Sequence, residues 1–143
     1  MTAAVPPRPV SLSEVSASCR RGGAVRMLLT PVTVGATAGL FGEVSLEPGE
    51  WVTEHYHPYS EECVYVVRGN LVMHVEGHPV PLCEQQSLMV PIAARHRLEN
   101  VGAHTAQVIF HLGPLAPAPH LGHVDTEKPG PGLDPSPADI APL

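Results

Sequence analysis

At 143 residues, with eight basic against fourteen acidic side chains for a net charge of −6, the chain has room for one domain of ordinary core size plus tails. The acidic balance, with no basic cluster longer than Arg20-Arg21, gives a phosphate backbone no electrostatic handle, so no nucleic acid is expected as a partner. No apolar run approaches the roughly 20 residues that span a bilayer, and the N-terminus lacks the charged-then-apolar pattern of a secretory signal, so a cytoplasmic protein with no membrane partner is expected.

In chain order, residues 1–25 hold Pro6, Pro7, Pro9 and a Ser-rich stretch to Ser18 without a clear period, and they read as an N-terminal arm whose order depends on docking. Residues 26–112 change character to short runs of Val, Leu, Ile, Tyr and Thr broken by Gly, Pro and Asn, the pattern of an all-β sandwich or barrel. The expected strands are Arg26–Val34, Ala38–Leu46, Trp51–His57, Cys63–Arg68, Leu71–Glu76, Ser87–Val90, His96–Asn100 and Thr105–Leu112. Turns are expected at Pro48-Gly49, Arg68-Gly69-Asn70, Gly77-His78-Pro79 and Val101-Gly102. Residues 113–143 are proline-rich with few apolar side chains and read as an extended tail, with His120-Leu121-Gly122-His123-Val124 as its docking point on the barrel. Cys19, Cys63 and Cys83 are odd in number and form no C-x-x-C pair, so they are taken as packing or loop residues.

The chemistry concentrates between Gly49 and Gly69. Alternate side chains of a strand share a face, so His55 and His57 point the same way about 7 Å apart along the backbone, within reach of one ion. A turn over residues 58–60 reverses the chain and opens the next strand with Glu62, which can supply a carboxylate oxygen, while parity sends Glu61 the other way. A strong site still needs a third histidine. Downstream, Pro91-Ile92-Ala93-Ala94-Arg95-His96 places His96 at the start of a strand just past a turn.

These segments resemble the two cupin motifs. The first matches throughout: glycine, five residues, His-x-His, four residues, Glu, six residues, glycine. The second, whose start lies about fifteen residues beyond the end of the first, matches at Pro91, His96 and Asn100. The resemblance covers roughly residues 38 to 112 and implies a single-domain cupin, a jelly-roll (double-stranded β-helix) barrel. It also implies a divalent metal held by His55, His57, Glu62 and His96, with Gly49, Gly69, Pro91 and Asn100 as scaffold positions. Two departures, Gln85 and Ala93 where the second motif carries glycines, touch turn geometry and not ligation.

On the last strand Thr105, Gln107, Ile109 and His111 share one face, opposite Ala106, Val108, Phe110 and Leu112. If the polar set lines the barrel mouth, Gln107 contacts substrate and His111 is a possible base or extra ligand. If the apolar set fills the barrel, His111 lies outside.

A narrower likeness rests on the runs His55 to Glu62, Arg95-His96-Arg97, Phe110 to Pro117 and Leu121 to Glu127. Together these resemble the small single-domain cupins of actinomycete aromatic-polyketide clusters, several of which are polyketide cyclases. Seven arginines against the single Lys128 agree with a GC-rich source. The likeness implies an intramolecular aldol condensation and aromatisation of a poly-β-ketone, in antibiotic biosynthesis, with the intermediate delivered by a polyketide synthase complex to a monomer or homodimer. A divalent ion suits this as a Lewis acid. Zinc is the expected metal because no redox step is needed, and Fe(II), Ni(II) and Mn(II) accept the same ligands. The alternatives are an iron-dependent dioxygenase and a non-catalytic accessory cupin that binds a ligand for another enzyme.

Overall fold

A computed structural model describes residues 6–128. Ten strands, β1 Ala24–Leu29, β2 Leu40–Leu46, β3 Trp51–Tyr56, β4 Glu61–Arg68, β5 Leu71–Val75, β6 His78–Leu82, β7 Ser87–Val90, β8 His96–Asn100, β9 Ala106–Gly113 and β10 Val124–Asp125, are joined by one short helical turn, α1 Pro31–Val34. They form two five-stranded antiparallel sheets, ordered β1-β2-β9-β4-β7 and β10-β3-β8-β5-β6. The fold is the all-β cupin jelly roll expected from the motifs.

The inward residues of both sheets make one core. From the first sheet come Leu40, Val44, Leu46, Val64, Val66, Val90, Ala106, Val108, Phe110 and Leu112, and from the second Val52, Leu71, Met73, Leu82 and Leu98. Strand alternation sends their neighbours to the outer faces, where polar residues such as Gln107 mix with exposed apolar ones such as Tyr65, Val67 and Met89. At the end of β4, Gly69 adopts φ 103°, and a Cβ there would sit 2.7 Å from the Cβ of Ala106. Only glycine meets both demands, which explains why the motif places one there.

Two local features differ from the sequence reading. The strand expected over 26–34 stops at Leu29 because Pro31 pre-sets a helical φ and Thr30 caps the turn, its hydroxyl accepting from the amides of Val32 and Thr33. The turn expected at Gly77-His78-Pro79 lies one residue earlier. Glu76 and Gly77, at φ 49° and 77°, make a two-residue hairpin and leave His78–Leu82 free to form β6. Its Pro79 and Pro81 are tolerated because β6 is the edge of its sheet.

The barrel also takes in more chain at both ends than residues 26–112. Ser18 bridges Val25 ahead of β1, and Val124 and Asp125 pair with Tyr56 and His55 to add β10 to the second sheet. Within the span read as a tail, residues through Glu127 are therefore docked on the barrel, and residues 129–143 lie outside the described ones. Cys19, Cys63 and Cys83 are free and exposed. No helix among the described residues is long and apolar enough to cross a membrane.

Candidate metal centre

β3 and β8 are neighbours, and their pairing sets His55 directly opposite His96. Val52 pairs with Leu98 and His55 with His96, so β3 takes three steps where β8 takes two. This one-residue bulge changes the parity of the strand. Without it, alternation from the inward Val52 would turn Glu54 and Tyr56 to the interior. With it, His55 and His57 point inward and are buried. Glu62 approaches from β4 in the opposite sheet, between Val90 and Leu112. The expected parity holds: Glu62 faces the interior and Glu61 is exposed.

The four side chains gather at one end of the barrel, one donor atom from each lying within 4.8 Å of all the others. The ring centroids of His55 lie 4.9 Å from His57 and 4.3 Å from His96, and His96 Nε2 is 2.7 Å from Glu62 Oε2. Donors about 2.0–2.2 Å from a common ion can be no more than about 4.4 Å apart, so contraction by a few tenths of an ångström would seat one.

The hydrogen bonds on the far side of the rings supply the fit test for a metal. His55 Nδ1 is 2.7 Å from the carbonyl of Thr53, His96 Nδ1 is 2.9 Å from that of Ala94, and His57 Nδ1 is 2.9 Å from that of Gly122. A carbonyl only accepts, so each Nδ1 carries a proton, which leaves the Nε2 atoms of the neutral His55 and His57 with a lone pair for the cluster, while His96 Nε2 donates to Glu62 Oε2 and would present its lone pair on losing that proton to a metal. His57 Nε2 is buried without a hydrogen-bond partner, an arrangement that costs free energy unless a further group meets it. Three imidazoles, each neutral once its Nε2 is given to an ion, and one carboxylate suit zinc, iron, nickel or manganese.

The charges agree with neutral imidazoles at His55 and His57 and with a proton shared between His96 and Glu62. Burial pushes His55 well below the usual histidine range and His57 down to about 4, so both are neutral near pH 7. At His96 burial acts in the same direction, but the adjacent Glu62 carboxylate outweighs it and raises the imidazole. Burial raises Glu62, and the charge of His96 more than reverses the effect.

The cluster contributes polar groups to a cavity of about 100 Å³ that opens to solvent. Its walls are apolar, including Val25, Met27, Val44, Met73, Val108 and Phe110. Ser18, Arg21 and His123 add polar groups from the two chain ends. This is the composition of a site that surrounds a mostly carbon ligand and fixes it at a few points.

The apolar set of β9 fills the barrel, so Gln107 and His111 do not face the cluster. His111 is exposed on the outer face, and Gln107 donates to Glu43 Oε2 at 3.0 Å on that same outer side. Of the two placements left open for β9, the structure takes the one with the apolar set inside and His111 outside. Conversely, His123 is a site residue that the sequence reading treated only as part of a docking segment. Its ring stacks on His55 at 4.4 Å with 12° between planes, and its Nε2 is 2.7 Å from Asp125 Oδ1. The available signal was the apolar-and-Gly run around it, which marked a contact with the barrel but not with the four-donor cluster.

A cupin domain model matches residues 42–112. The chain is 56% identical over 123 residues to the polyketide synthase CurC of Streptomyces cyaneus, covering 86% of this chain and 80% of that protein. It is 50% identical over 127 residues to the tetracenomycin polyketide synthase protein TcmJ of Streptomyces glaucescens, covering 88% of this chain and 85% of that one. Among solved structures, the polyketide cyclase RemF of Streptomyces resistomycificus superposes with a TM-score of 0.67 at 16% identity, over 85% of this chain and 86% of RemF, which shows a shared fold. The chain belongs to the cupins, among the polyketide-synthase-associated members of that family.

Proposed function

We propose that the protein is a metal-dependent polyketide cyclase that closes and aromatises a ring of a poly-β-ketone by intramolecular aldol condensation. The observation that carries this reading is the joining of an apolar cavity to a four-donor cluster in its lining, in a chain whose relatives are polyketide synthase proteins. His55, His57, Glu62 and His96 would hold the metal, for which zinc is the choice. When bound, a divalent ion there supplies Lewis acidity toward a ketone oxygen.

The rest of the chemistry falls to the chain itself. The apolar walls fold a flexible chain so that one carbon meets one carbonyl, and they keep water from the reacting carbons. In an aldol step the α-carbon gives up a proton, the new carbon–carbon bond forms and the former carbonyl oxygen takes that proton to become a hydroxyl; loss of a second α-proton together with that hydroxyl then releases water and leaves a carbon–carbon double bond. His123 is a cavity imidazole outside the four-donor cluster; burial lowers it below the usual range, and with Nε2 held by Asp125 it has Nδ1 available for the proton. His111 has no part in this scheme.

The test is reconstitution with a minimal polyketide synthase in air and under argon, scoring cyclised product against spontaneous shunt products. Equal yields in both atmospheres, lost on chelation and restored by zinc, are the expected result. A strict oxygen requirement would replace this reading with an iron dioxygenase, which the same donor set also suits. An unchanged product ratio with and without the protein would replace it with a binding role.

A further inference from the structure

The three ligand histidines are oriented in two different ways. His55 and His96 each bond a carbonyl two residues back on their own segments, Thr53 and Ala94. His57 instead bonds the carbonyl of Gly122, 65 residues away. Its orientation therefore depends on whether the C-terminal segment is in place.

That segment is fastened over the cluster by polar contacts from several directions. His123 stacks on His55 and meets the edge of His57, with centroids 5.3 Å apart. Asp125 Oδ1 receives both His123 Nε2 at 2.7 Å and Arg21 Nε at 3.1 Å, and the Arg21 carbonyl accepts from the amide of Thr53 on β3. Glu127 accepts from Trp51 Nε1 and from the amide of Glu54, while the amides of Thr126 and Glu127 both donate to the Glu54 carbonyl.

We propose that residues 119–127 are a working part of the metal centre: they set the tautomer and direction of His57, and Asp125, clasped by Arg21, is the positioning residue that keeps them seated. Metal affinity and docking of this segment are then one coupled equilibrium. Whatever loosens the segment weakens the ion, and the ion tightens the segment by the same factor. The coupling rests on the reading of the four donors as a metal site.

The test uses the full-length protein stripped of metal and titrated with Zn²⁺ against a chromophoric chelator. Asp125→Ala is expected to weaken Zn²⁺ by roughly tenfold, in line with loss of a group that orients a ligand. Leu82→Ala, a core change on the far edge strand outside the cavity, should lower thermal stability and leave affinity within about twofold. On the wild-type protein, hydrogen exchange of the amides from Val124 to Glu127 should slow by about the same tenfold when Zn²⁺ is added, while those of β6 keep their rates.

Equal weakening in the two variants, or exchange in the segment that ignores Zn²⁺, would show that the segment is packing alone and overturn the proposal. Failure of the wild-type protein to take up one equivalent of Zn²⁺ would instead overturn the metal-site reading beneath it.

Discussion

The barrel wall and the C-terminal strap meet at the same four donors, and they are built from opposite chemistry. The wall is a continuous apolar core whose side chains, from Leu40 to Leu112, are nearly all sealed from solvent. The strap over residues 119–127 buries little carbon and is held by carboxylates, a guanidinium and backbone amides. Apolar burial is worth about 25 cal/mol per Å² wherever it occurs, whereas partly exposed hydrogen bonds and ion pairs return about 1 kcal/mol or less apiece. Stability therefore belongs to the wall, and the geometry of one ligand belongs to the strap.

The largest effect that could break this division is removal of a ligand. His57→Ala should lower metal content at least a hundredfold and leave the β-barrel folded, because the ring adds little to the apolar core. Elemental analysis beside a circular-dichroism melt checks both halves, and metal retained at wild-type stoichiometry would refute the assignment of this site. Next comes the core. Leu71, 1% exposed, should cost about 2–5 kcal/mol when changed to Ala, measured by urea unfolding. A loss below 1 kcal/mol would mean that the wall is not where stability resides.

A smaller effect of opposite sign is expected in the second motif. Gln85 and Ala93 occupy φ 67° and 65°, the left-handed region that costs a side chain about 1–2 kcal/mol. Part of that gain is offset by the greater freedom of glycine in the unfolded chain. Gln85→Gly and Ala93→Gly should each stabilise by about 0.5–1 kcal/mol without altering metal content. Destabilisation by either would show that the side chain supplies more than the turn costs it.

The smallest effect concerns the outer face of β9. His111→Ala should change stability by no more than about 0.5 kcal/mol and leave cyclisation in the reconstituted system untouched. A loss of turnover there would return His111 to the site and contradict the inward packing of Val108 and Phe110.

Much of this molecule was legible before its structure. Period-two alternation marked most of the barrel strands, and the turn residues between them were readable from their backbone preferences. The choice of Glu62 over Glu61 rested on the six-residue spacing to Gly69 in the motif and on the same parity. The departures at Gln85 and Ala93 were correctly placed in turns, although the positive φ that they share became visible only in three dimensions.

What the sequence determined by itself was the set of residues with the right chemistry and the strand period that groups them. Tertiary structure decided which face of each strand became the interior. Alternation along β9 is the same whether Gln107 and His111 or Val108 and Phe110 point inward, and only packing against the opposite sheet selects the apolar set. Along β3 the bulge between Val52 and His55 resets the parity through pairing with β8, which no local pattern encodes. The strap is the extreme case. Gly122 meets His57 across 65 residues, and nothing in a short proline-flanked run announces which imidazole its carbonyl will hold, because that contact exists only when both sheets have closed.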